Sequence, residues 1–243
     1  MILEICAANY QSAINAQKAG AHRIELCNEL AVGGITPSFG LLKKVIADLN
    51  IPVIVLIRPR SGDFVYSKAE FEIMKQDIQL CKELGAAGIV SGVLTSDFKV
   101  DIKRTSELIE LSRPLPFTFH RAFDHVENPQ QALIDLINLG AHRILSSGQQ
   151  ASAFEGISLL MELQQQTGDE LIIMPGGGIN ASNSDAFAKA NFKEIHASAT
   201  AISEQTSEEK LPMNTPKFLQ ENIEITSNIE SIKAILNRIT HEI

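Results

Sequence analysis

The chain is expected to fold as an α/β protein with one domain, a (β/α)8 barrel of the TIM type, and three observations predict it. The pentapeptide Gly-Ala-His-Arg-Ile occurs twice, at Gly20–Ile24 and Gly140–Ile144, roughly half the chain apart. Each copy closes a helical stretch and opens a short apolar strand, and looser relatives of the junction lie at Leu84–Val93 and Asn191–Ala199. One helix-to-strand unit therefore recurs, which bears on fold before any single residue does. Strand-length apolar runs also alternate with helix-period segments, the pattern of βαβ units around a parallel sheet. Finally, 243 residues match the roughly 250 that such barrels need.

The elements follow in order. Strands are predicted near 2–6, 23–27, 52–58, 88–93, 116–121, 143–148, 171–175 and 193–198. MILEICAAN holds a carboxylate inside a short apolar run and lacks a basic leader, so it is taken as a first strand and not a signal peptide. Helices are predicted over Tyr10–Ala19, Ser38–Leu49, Lys68–Leu84, Ile102–Leu111, Pro129–Leu139 and Ala153–Gln166. Glycine at three of the junctions suits a left-handed helix end, and Asn128 before Pro129 is an N-cap followed by proline in the first turn. An open doubly wound sheet is disfavoured, because no G-x-G-x-x-G follows the first strand. The polar stretch Ser203–Ser227 interrupts the spacing and is expected to be a lid or a mobile surface loop. A last helix follows, with Ile229, Ile232, Leu236 and Ile239 on one face. No linker marks a second domain, so residues 1–243 are taken together.

Composition narrows the function. A formal net charge of −8 disfavours nonspecific contact with nucleic acid or anionic membrane, and no apolar run is long enough to span a bilayer. Three cysteines, odd in number and at no framework spacing, argue for a reducing compartment, expected to be the cytoplasm. Barrels of this class often dimerise, so a homo-oligomer is an open expectation, but no surface stripe marks an interface.

Strand side chains alternate between faces. In the first strand Glu4 and Cys6 share a face, in the second Glu25 and Cys27, and in the eighth Glu194, His196 and Ser198. The outer face must pack on apolar helices, so these polar sets should point into the lumen, where strands 8, 1 and 2 are neighbours about 5 Å apart. Burying so many ionisable groups without use would be costly. Other strand ends should join them at one mouth: Arg58, Arg60 and Asp63 after strand 3, His120, Arg121 and Asp124 after strand 5, and Gly176, Gly177 and Gly178 after strand 7. Arginines with a glycine-rich turn suit a phosphate or carboxylate.

LEIC, RIELCNE with GGITPS, IRPRSGDFVYS, FHRAFD and HASA, in this order and spacing, resemble the CutC copper-homeostasis family from Ile2 to about Ala199. The resemblance implies a (β/α)8 barrel, a cytoplasmic location and a role in copper tolerance or trafficking. The chain departs from the family pattern at Ala7 and Val65, where many members carry a further cysteine.

Two functional readings stand side by side. In the first, Cys6 and Cys27 end neighbouring strands on the inner face, and paired soft thiolates suit Cu(I), with His196 as a third ligand. Against it, free cysteine is also a common space-filler, as Cys81 is expected to be. In the second, the mouth is an enzyme site for a small anion: Glu4, Glu25, His120, Asp124 and His196 move protons, while Arg58, Arg60, Arg121, Gly176, Gly177, Gly178 and Ser198 bind the anion. Against it, the inner glutamates form a structural network with Arg23, Arg58 or Arg121, and Asp124 caps a turn. His22 and His142 lie at the opposite face and should be structural. No lysine falls inward near a strand end, which disfavours a Schiff-base aldolase, and G-x-S-x-G and H-E-x-x-H are absent. A non-catalytic interaction scaffold is the third reading.

Overall fold

A computed structural model describes residues 1–204 and 223–240. Strand and helix alternate from the start: β1 (Ile2–Ala7), α1 (Tyr10–Ala19), β2 (Arg23–Leu26), α2 (Phe39–Asp48), β3 (Val53–Leu56), α3 (Lys68–Leu84), β4 (Gly88–Ser91), α4 (Ile102–Ser112), β5 (Phe117–Phe119), α5 (Pro129–Leu139), β6 (Arg143–Ser146), α6 (Ile157–Thr167), β7 (Ile172–Pro175), α7 (Ser184–Lys189) and β8 (Glu194–Ala197). An antiparallel ribbon, β9 (Thr200–Glu204) with β10 (Ile223–Ser227), and a last helix, α8 (Ile229–Thr240), complete it. The first eight strands are parallel, in the order β7-β6-β5-β4-β3-β2-β1-β8. A bridge from Gly176 to His196 brings β7 against β8 and closes the ring. The expected TIM-type barrel is the observed one.

The repeated pentapeptide works the same way in both copies. Gly20 and Gly140 end α1 and α5 at φ 90° and 81°, where a side chain would be strained. The next histidine then braces the neighbouring strand. His22 Nδ1 accepts from the Leu3 N–H (3.0 Å) and His142 Nδ1 from the Phe117 N–H (3.2 Å), while their own N–H groups donate to the Leu3 and Phe117 carbonyls. Both histidines are structural, at the N-terminal ends of the strands. The looser junction at Asn191 has φ 59°, a conformation asparagine tolerates better than most residues.

The alternation of the strands sets two cores. Leu3, Ile5, Ile24 and Leu26 are buried between sheet and helices in the main core, where Cys81 also packs. Cys6, Cys27, Ile54, Leu56 and Val90 form a separate cluster inside the ring. The start signals hold: Asn9, Ser38, Ser67, Asp101 and Asn128 each accept a backbone N–H as N-caps.

Some expectations need correcting. The gap between β7 and β8 is filled by the short helix α7, and α6 begins at Ile157 instead of Ala153. The ends of the Ser203–Ser227 stretch are not loop, because they belong to the β9–β10 ribbon; residues 205–222 lie outside the described part. The ribbon is tied to the first unit: Asn9 and Asn15 side-chain amides donate to the Ile225 and Ser227 carbonyls (both 2.9 Å), and Ser227 Oγ donates to the Cys6 carbonyl (3.3 Å).

Candidate functional site

The lumen has a floor and a mouth. On the floor, at the N-terminal ends of the strands, Arg23 donates to Glu4 and to Glu194, and Arg143 Nε donates to Glu194 at 2.7 Å. Burial works against the charge on Glu4, but the hydrogen bond with His196 and the Arg23 charge overcome it and hold the carboxyl at about 2. Glu194 is likewise held below its ordinary range, by Arg23 and Arg143 against burial. Arg23, buried between two carboxylates, is held above its ordinary range by them. The floor is a closed ion network, and of the arginines weighed against the inner glutamates it is Arg23 that neutralises Glu4.

Above it a pocket of about 260 Å³ opens, lined among others by Cys6, Glu25, Arg58, Phe64, His120, Arg121, Gly177, Gly178, His196 and Ser198. Cys6 Sγ lies 3.6 Å from Cys27 Sγ and 3.9 Å from Glu25 Oε1. The hydrogen bond with Cys27, then burial, pushes the Cys6 thiol well above its usual range. One ligand atom each from Cys6, Glu25 and His196 fall within 4.8 Å of one another. His196 Nδ1 sits 2.8 Å from Glu4 Oε1. An ionised carboxylate only accepts, so Nδ1 carries the proton there and Nε2 is turned elsewhere. This is the carboxylate-backed imidazole typical of metal ligands. Burial opposes the charge on His196, but Glu25 and Glu4 outweigh it and raise its pKa.

Three buried atoms of mouth residues have no hydrogen-bond partner among the described residues: Glu25 Oε2, Arg58 Nε and His120 Nε2. Burial pushes Glu25 up to about 7, with the Glu4 charge adding to it and His196 opposing. For His120, burial and then the Arg58 charge push the imidazole down to about 3. Its Nδ1 accepts the Ala122 N–H at 3.2 Å, so the neutral ring carries its proton on Nε2. The ring lies against Gly92, where a Cβ would come within 2.6 Å of Nδ1, and Phe64 packs on it at 4.9 Å.

The remaining expected residues divide. Arg58 lines the mouth but is no mobile counter-charge: its guanidinium donates to the Val32, Gly34 and Gly62 carbonyls at 2.8–2.9 Å. Arg60 leaves the site, because Glu70 (2.6 Å) and Asp63 (2.9 Å) hold it on the outside, over Tyr66. Asp124 is outside the lining too. It accepts from Ser146 Oγ (2.6 Å), the Ser147 N–H and Arg121 Nε (2.8 Å), a clasp that positions Arg121. Gly176 closes the ring and does not line the pocket. Cys27 is wholly buried behind Cys6. Sequence reasoning missed Leu30, Gly33 and Leu145 in the lining and Ser147 in the clasp. Loop residues 30 and 33 carried no signal, whereas Leu145 is inward by simple alternation.

Residues 1–201 match the CutC family. The chain belongs to that family. A CutC family protein of Chromobacterium violaceum is 50% identical over 199 residues, which cover 82% of this chain and 81% of that one. The human copper homeostasis protein cutC homolog is 47% identical over 199 residues, 82% of this chain and 73% of its own. The crystal structure of a CutC copper homeostasis protein from Streptococcus agalactiae superposes with a TM-score of 0.77 at 34% identity, covering 82% of this chain and 98% of that one. The CutC match ends two residues into β9, so the rest of the ribbon and α8 lie beyond it. Among the described residues no helix is long and apolar enough to cross a membrane.

Proposed function

We propose that this CutC-family chain handles Cu(I) as cargo, held between Cys6 and Cys27 in a cytoplasmic setting that keeps both thiols reduced. The observation that carries the reading is the sulfur pair 3.6 Å apart, with Cys6 on the pocket wall. Soft thiolates favour Cu(I) over harder ions. One ion shared by sulfurs this close is bent, which leaves a position for His196, already backed by Glu4. Binding must displace the Cys6 proton, and Glu25 Oε1 lies 3.9 Å from that thiol. The copper-homeostasis names of the human and streptococcal relatives support the same reading. A Cu(I) titration of reduced protein against a competing chelator tests it, beside the Cys6→Ser/Cys27→Ser double variant. Tight binding of one equivalent by the wild type and none by the variant is expected; equal, weak binding by both would overturn the thiolate site.

The unpartnered Glu25 Oε2 and His120 Nε2 favour a second reading, in which the mouth takes a small organic anion beside Arg121, Gly177, Gly178 and Ser198. An open pocket weighs against a purely structural scaffold, which would fill the mouth with paired side chains.

A further inference from the structure

We infer that the mouth is an enolising active site for a small α-hydroxy carbonyl compound that carries a carboxylate or phosphate. This rests on the small-anion reading of the pocket and adds the substrate class and the reaction. Four observations converge. His120 lines the pocket and carries one N–H donor, fixed by the Ala122 N–H on its other nitrogen and without a partner among the described residues. A buried neutral imidazole polarises a carbonyl without giving up a proton. Glu25, which also lines the pocket, has a carboxylate oxygen with no partner among the described residues. The Asp124–Ser147 clasp holds Arg121 by Nε and Nη2, which leaves Nη1 next to the bare backbone of Gly177 for an anionic end group. Lastly, no lysine of the described residues lines the pocket, and His120 is the donor placed to activate a carbonyl.

The step balances without a cofactor. Glu25 Oε2 takes the proton from the hydroxyl-bearing carbon, and that C–H bond's electron pair becomes the new C=C bond. The carbonyl pair moves onto oxygen, where the His120 Nε2–H holds it. Return of the proton to the neighbouring carbon, with one proton passing between the two oxygens, gives the isomeric hydroxy-carbonyl compound. Nothing is oxidised or reduced overall.

The test uses the full chain in D2O with four probes: dihydroxyacetone phosphate and glyceraldehyde 3-phosphate, hydroxypyruvate as the carboxylate arm, and uncharged glyceraldehyde as control. Proton NMR reads binding by saturation transfer and turnover by loss of the C–H signal. At least one charged probe should bind and exchange well above the protein-free rate, and glyceraldehyde should not. Glu25→Gln and His120→Gln should each lower exchange about 100-fold or more while the probe still binds; Arg121→Ala should raise KM more than it lowers kcat. Binding without exchange in the wild type would overturn enolisation and leave the anion pocket standing. No binding of any charged probe would overturn both. Exchange that survives Glu25→Gln unchanged would overturn the assigned base, and the wild-type measurements decide even where a variant fails to fold.

Discussion

Floor and mouth of the lumen are built from the same residue types and behave in opposite ways. Glu4 on the floor is held at about 2 by His196 and Arg23, while Glu25, one strand over, is pushed to about 7 by burial. Every charge on the floor meets its opposite, whereas in the mouth a carboxyl oxygen and an imidazole N–H have no partner among the described residues. The floor spends ionisable groups on holding the barrel; the mouth keeps them at a cost to stability, as a site for a ligand does.

That contrast can be broken from either end. The largest effect is expected from Arg23→Met, which leaves Glu4 buried with only His196. Loss of one partner of a buried pair costs about 3–5 kcal/mol, measured by urea denaturation at pH 7. The mouth should respond in the other direction. Between the ordinary carboxyl value of 4.5 and about 7 the folded state binds more protons at Glu25 than the unfolded state. Its stability contribution is therefore full below 4.5 and lost as pH rises to about 7. Glu25→Gln is expected to stabilise the chain by about 3 kcal/mol at pH 8 and to gain nothing at pH 4; a destabilised variant at pH 8 would erase the distinction between the regions.

His120 sharpens the same comparison. Its folded value of about 3 lies below the ordinary 6.5, so the unfolded state binds the extra proton between them. The contribution is complete above 6.5 and falls away toward pH 3. A Tm-against-pH profile of His120→Gln should be flatter over that window than the wild type. The smallest effects should fall outside the lumen. Gly20→Ala and Gly140→Ala each force a left-handed side chain and should each cost about 1 kcal/mol. Unequal costs would show that the two repeats no longer bear the same load.

Much of the barrel was legible because helix ends and strand alternation are local. Glycine and asparagine at the junctions, caps such as Asn128, and the inward set Glu4, Cys6, Glu25 and His196 follow from spacing alone. What failed depended on where long side chains reach. Arg58 and Arg60 are two residues apart and look interchangeable, yet one is bound by carbonyls of the loop at Val32 and Gly34 and the other by Glu70 of α3. Asp124 looked like an acid, and only Ser146 and Ser147, brought in by β6, make it a clasp. The ribbon was hidden because Ser203–Ser227 is polar and its two edges find each other only in space.

The double pentapeptide also gives the barrel a two-fold pattern. Arg23 pairs in register with Glu4, and Arg143 with Thr118, so the two arginines are counterparts, and both reach Glu194. Aligned this way, Cys6 corresponds to His120, Glu25 to Leu145 and Cys27 to Ser147. The arginine of the floor is common to both halves, whereas the rim above it differs, with sulfur and carboxylate in one half and imidazole and hydroxyl in the other.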